Sequence, residues 1–222
     1  MTGIRSGRGT PPRAGGRIRA ALFDLGGIFV HVRMERGFEA LRTAFPSLSE
    51  AALRENCLAP DLLGAYEKGR LSSSGFLAEI NRRLGSEIPF QQFRKCWQGV
   101  FTPNTPMIRF LHGLPRRFRR IIVSNTNPLH IQALSSHFDI LDRFDGHVYS
   151  FETGTSKPEE KIFQKALSVA DAAPEECVFV DDLEANVKAA EALGIPSHHF
   201  TGNGSFFQFW EERFGLIPQA ES

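Results

Sequence analysis

Short apolar runs of strand length alternate with segments of helical periodicity along most of this chain. The run from Ile18 to Phe23 is β-like and too short for a typical helix. After Pro106, a helix through Met107 to Leu111 leads to a strand at Ile121 to Val123 and a helix near Leu129 to His137. A strand at His147 to Ser150, a helix at Pro158 to Ala170, a strand at Val178 to Val180 and a helix at Glu184 to Leu193 follow. A last strand includes His198 to Phe200. Strands alternating with helices predict an α/β fold with a doubly wound parallel sheet.

One block breaks the alternation. Residues 33–104 carry helical spacing, as in Phe38, Leu41, Phe45 and in Phe76, Leu77, Ile80, Leu84, with breakers at Pro46, Pro60, Gly85 and Pro89. The expectation is several short helices and no strands, inserted over the carboxyl edge of the sheet as a helical cap. Just before it, Phe29, His31 and Arg33 alternate with Ile28, Val30 and Val32 as in a short hairpin flap. The division expected is a disordered basic tail at 1–17, a core at 18–32 and 105–222, and the cap at 33–104. The tail, MTGIRSGRGTPPRAGGR, is rich in Gly, Pro and Arg and has too little apolar surface to order itself.

Composition excludes several classes of function. At 222 residues, 41% hydrophobic and with 20 phenylalanines, the chain can bury a substantial core. A net charge of +1 sets up no field that would recruit nucleic acid or an anionic membrane. The cluster Arg116-Arg117-Phe118-Arg119-Arg120 leads into a strand, so it belongs at the edge away from the carboxyl ends. Cys57, Cys96 and Cys177 lack metal-type spacing and read as reduced thiols. No stretch approaches the roughly 18 apolar residues of a membrane span, and none resembles a secretory signal. The expected setting is cytoplasmic, with no nucleic-acid or membrane partner, as a monomer or a homodimer.

Candidate chemistry gathers at strand ends, where open α/β sheets place their ligands. Asp24 ends the first apolar run in Phe23-Asp24-Leu25-Gly26-Gly27, and a carboxylate there can attack phosphorus to form an aspartyl phosphate. Asp181-Asp182 ends Cys177-Val178-Phe179-Val180. Two anions repel, so a magnesium ion is expected between nucleophile and phosphoryl group, with Asp24, a backbone carbonyl and Asp182 as ligands and Asp181 holding a bound water. Ser124 and the amide of Asn125 can hydrogen-bond phosphoryl oxygens. Lys157, in Thr155-Ser156-Lys157-Pro158, can neutralise charge in the transition state. Asn186 follows Asp182 by one helical turn and can steady the metal shell. Singly, each residue is an ordinary cap or turn; together they follow in order at the ends of successive βα units.

Phe23-Asp24-Leu25-Gly26-Gly27, Ser124-Asn125-Thr126-Asn127, Ser156-Lys157-Pro158-Glu159 and Val180-Asp181-Asp182 resemble the motifs of the haloacid dehalogenase superfamily of phosphohydrolases. They are most similar to the bacterial subgroup that includes an α-D-glucose-1-phosphate phosphatase, and Tyr66-Glu67-Lys68-Gly69-Arg70-Leu71 and Trp97-Gln98-Gly99-Val100-Phe101 resemble cap segments of that subgroup. The resemblance implies a Rossmann-like core with a cap after the first strand. It also implies that the strands carrying Asp24, Ser124 and Asp181-Asp182 lie side by side, with the backbone carbonyl of Gly26 among the magnesium ligands.

One departure matters. Most phosphatases of this superfamily carry a second Asp two residues after the nucleophile, which protonates the leaving oxygen; here that residue is Gly26. General acid-base help is worth roughly 100- to 10,000-fold. Its loss favours good leaving groups such as sugar 1-phosphates and acyl phosphates. His31 has a suitable unperturbed pKa to replace it, although a His in a flap is ordinarily structural. His198-His199 is no metal pair, since strand neighbours face opposite sides. Trp97 and Tyr66 can line a sugar pocket, but packing is the commoner role of aromatics among helices. The function expected is a magnesium-dependent phosphatase acting on a small phosphorylated metabolite, sugar phosphates included. The alternatives are a catalytically weak phosphate-binding or regulatory module, and a hydrolytic dehalogenase, which would need no metal and leaves Asp181-Asp182 unexplained.

Overall fold

The sheet is built from strands that are apolar on both sides. The computed structural model describes residues 17–215, so the expected disordered tail, apart from Arg17, lies outside the described residues. Strand β1 (Ala20–Phe23) is fully buried, and five parallel strands run in the order β5-β4-β1-β6-β7. These are β4 (Arg119–Ser124), β5 (Gly146–Tyr149), β6 (Cys177–Asp181) and β7 (Ser197–His199), beside β1 at the centre. Strand side chains alternate between the two faces. Ala21, Phe23, Ile122, Val178 and Val180 share a core with Phe110 of α6 (Thr105–Gly113), Leu134 of α7 (Pro128–His137) and Trp210 of α11 (Asn203–Phe214). Ala20, Leu22, Ile121, Val123, Cys177 and Phe179 pack against Ile162 and Phe163 of α9 (Glu160–Ala170) and Ala190 of α10 (Glu184–Ala192). Both faces are covered, as a doubly wound sheet requires.

The helical block has a core of its own. It comprises α1 (Met34–Ala44), α2 (Glu50–Cys57), α3 (Pro60–Glu67), α4 (Ser73–Leu84) and α5 (Phe90–Gln98). Phe38, Leu53, Tyr66, Phe76, Phe93 and Trp97 pack together, joined by Leu129 from α7. Two expectations are corrected here. The block is not free of strands: β3 (Phe101–Pro103) pairs antiparallel with β2 (Val30–Val32), Val30 facing Pro103 and Val32 facing Phe101. Residues 28–33 therefore form no hairpin of their own, but one half of a two-stranded neck whose partner lies across the whole block. Strands of three residues carry too little periodicity to be read from sequence, and their pairing is tertiary.

Two elements were not expected. Ser150 begins a single turn, α8 (Ser150–Thr153), rather than ending β5. Helix α11 follows the last strand, with Phe206 and Trp210 buried one turn apart against Phe23 and Phe110. Its apolar spacing was present in the sequence, between Gly202 and Gly215. Among the described residues no helix is long and apolar enough to cross a membrane.

Candidate active site

Register places the acids together. Phe23 is level with Ile122 of β4 and Val180 of β6, so one residue further along the chain Asp24 stands between the ends of those two strands. The Asp24 N–H still donates to the Val180 carbonyl at 2.9 Å, and its Oδ1 accepts from the Leu25 N–H at 2.7 Å. Carboxylate oxygens of Asp24, Asp181 and Asp182 lie within 4.8 Å of one another.

Lys157 ties the cluster together. Its ammonium is buried, 2.9 Å from Asp24 Oδ1 and 2.6 Å from Asp181 Oδ2. Burial opposes its charge, but the two carboxylates overcome that and hold its pKa above the ordinary value. Burial pushes Asp24 up to about 6 against the pull of Lys157, with Asp181 adding to the rise. Asp182 is half-buried and also raised, first by burial and then by Asp181.

Several expected roles are redistributed. Asp181 is fully buried, and its Oδ1 accepts from the Leu183 N–H and from Asn186 Nδ2, both at 2.9 Å. With Oδ2 taken by Lys157, Asp181 holds the lysine in place, and Asn186 serves Asp181 rather than Asp182. Asp182 is the more open of the pair. The Asn125 side chain is also committed: its Oδ1 accepts from the Lys157 N–H at 2.8 Å and its Nδ2 donates to the Lys157 carbonyl at 2.9 Å. Asn125 thus fixes the backbone that carries the ammonium, and its side-chain amide is not directed to a substrate. Ser124 is buried at the end of β4, beside Asp24.

The remaining candidates fall outside the acid cluster. His31 faces Thr102 in the neck. His198 stacks on Phe209 with ring centroids 4.2 Å apart, while His199 Nε2 lies 3.0 Å from the Asp182 carbonyl, so the two do not converge on a metal. Tyr66 and Trp97 are buried in the block's own core, which is packing and not a pocket wall. The cysteines are buried and unpaired. Sequence reasoning gave no role to Glu67, the last residue of α3. Its carboxyl is pushed up to about 7 by burial and then by the charge of Asp24. The only signal for it was its place in the segment Tyr66 to Leu71.

Residues 18–194 match the haloacid dehalogenase-like hydrolase family. The chain belongs to that family. It is 25% identical over 186 residues to D-ribitol-5-phosphate phosphatase of Bacteroides thetaiotaomicron, covering 80% of this chain and 89% of that protein. It is 26% identical over 192 residues to a sesquiterpene phosphatase of Aspergillus oryzae, covering 82% and 90%. Among solved structures, it resembles a family enzyme of B. thetaiotaomicron in complex with magnesium and inorganic phosphate. The TM-score is 0.75 at 26% identity, over 89% of this chain and 99% of that one. That haloacid dehalogenase-like structure shares the Rossmann-like architecture described above.

Proposed function

We propose that this protein is a magnesium-dependent phosphatase that hydrolyses a small phosphorylated metabolite through an aspartyl phosphate on Asp24, with residues 33–104 as the cap over the site. The observation that carries the reading is the buried Lys157 ammonium shared by Asp24 and Asp181. It keeps Asp24 ionised beside an incoming phosphoryl group and leaves one carboxylate oxygen for attack. The Ser124 hydroxyl and the Asn125 backbone N–H would receive phosphoryl oxygens at the end of β4.

The donor set suits a hard cation. Three carboxylates against one ammonium leave two negative charges uncompensated within a few ångströms. Asp24, Asp182 and the Gly26 carbonyl would hold magnesium, an all-oxygen set of the kind this ion prefers. Bound there, magnesium would offset the repulsion between nucleophile and phosphate. The relatives named as phosphatases, and the magnesium and phosphate complex of a similar enzyme, support the assignment. A sugar phosphate or a related polyol phosphate is the substrate class we favour.

Hydrolysis of an aryl phosphate tests this directly. Turnover should require magnesium, and Asp24→Asn should lower kcat by at least about 1,000-fold, on the scale of losing a covalent nucleophile. Unchanged activity in that variant would remove Asp24 from the nucleophile role.

A further inference from the structure

Strand β6 ends one residue before the acid that stays open. In the ladder between β6 and β7, Asp181 is level with His199, and the Phe200 N–H donates to the Asp181 carbonyl at 2.8 Å. There the backbone pairing stops. Asp182 lies beyond it, between the strand and α10, and no backbone N–H of the described residues reaches its carbonyl. The His199 side chain takes over at that point, with Nε2 3.0 Å from the Asp182 carbonyl oxygen. A carbonyl can only accept, so Nε2 carries the hydrogen and donates it. His198, facing the opposite side of the strand, stacks on Phe209 and takes no part.

Asp182 depends on such a hold more than its neighbours do. Asp24 and Asp181 both bond through their side chains to Lys157, and Asp181 also to Leu183 and Asn186. No other residue among those described donates a hydrogen bond to the Asp182 carboxylate. Its placement therefore follows its backbone. The carboxylate packs so closely on Gly27 that a Cβ there would collide with it, which sets this acid beside the turn that carries the Gly26 carbonyl. A shift of the Asp182 backbone would take its oxygens away from the rest of the proposed magnesium set.

We propose that His199 is a positioning residue for the magnesium site, its Nε2–H fixing the backbone from which Asp182 presents its carboxylate. The inference rests on the phosphatase reading above. It parallels Asn125, which holds the Lys157 backbone by the same means, a side chain bonded to main-chain groups. His199 is bonded to the Asp182 carbonyl and not to its carboxylate, so removing the ring loosens the hold on the ion and leaves Asp24 and Lys157 in place. Loss of a residue that orients a metal ligand typically weakens metal binding roughly 10- to 100-fold.

Magnesium binding without substrate tests the assignment. Calorimetric titration of magnesium into substrate-free protein would compare wild type with His199→Phe, which keeps a ring but lacks the donor, and with His199→Gln, which keeps an N–H donor. His199→Phe should raise the magnesium Kd by about tenfold or more, and His199→Gln should return it to within about threefold of wild type. At saturating magnesium, kcat on an aryl phosphate should stay within about threefold of wild type in both variants. Should the Phe variant not fold, His199→Ala carries the same expectation. An unchanged Kd in the variant without a donor, or an equal loss in the Phe and Gln variants, would overturn the role of His199 while leaving the phosphatase reading intact. Wild type that neither binds magnesium nor needs it for turnover would overturn both.

Discussion

Gly26 and Gly27 are neighbours with unlike constraints. Gly27 has φ +74°, and a Cβ there would collide with the Asp182 carboxylate, whereas a Cβ at Gly26 would make only an ordinary contact. Gly27→Ala should therefore cost about 1–2 kcal/mol in backbone strain and displace the more open acid of the pair. It should raise the magnesium concentration needed for half-maximal activity, while Gly26→Ala leaves that concentration unchanged; a metal titration of both variants checks this. Asp24 and the two downstream acids were legible because each ends an apolar run, and Lys157 because it stands just before a helix. Their partners were not. Nothing in the spacing said that Asn125 would grip the Lys157 backbone or that Asn186 would serve Asp181, because those pairs meet only when β4, β6 and the Lys157 loop converge.

At the scale of elements, the junction between helical block and sheet combines rigid backbone contact with polar ties. Besides Lys68 and Glu159, Gln98 of α5 reaches Gln132 of α7 at 3.0 Å, and Trp97 stacks on His130 at 5.5 Å. Gly69→Ala combines positive-φ strain with a clash against α8, and Gly85→Ala, at φ +59° with open space around it, carries the strain alone. Strain of about 1–2 kcal/mol corresponds to a fall in Tm of roughly 2–8 °C for a chain of this size. Gly69→Ala should exceed Gly85→Ala in thermal melts and alone lower kcat/KM. The helices of the block and the parallel alternation were readable from periodicity. The neck formed by β2 and β3, the short α8 and the docking of α3 were not, since short segments take their structure from what they touch.

For the molecule as a whole, the site stores electrostatic cost. Glu67 has a folded-state pKa of about 7, above its ordinary value of 4.5, so the folded state binds its proton more tightly than the unfolded state does. The sign follows: its contribution is neutral below pH 4.5 and grows more unfavourable as pH rises toward 7. Asp24 is the charged group that adds to this rise, while Lys68 is paired with Glu159 and Lys157 with Asp24. In metal-free buffer, Glu67→Gln should therefore melt above wild type at pH 8 and together with it at pH 4, as followed by circular dichroism.

Strand-length apolar runs that end in acids determined the α/β class, the parallel sheet and the carboxyl edge at which chemistry would gather, because side-chain period and strand direction are local properties of the chain. Family-like motifs determined the kind of chemistry. Only the tertiary structure decided which carboxylate is open and which is committed, and that Asn125 is a clamp. The physical reason is that burial and Coulomb interactions act through space, between residues whose separation along the chain carries no information about their distance.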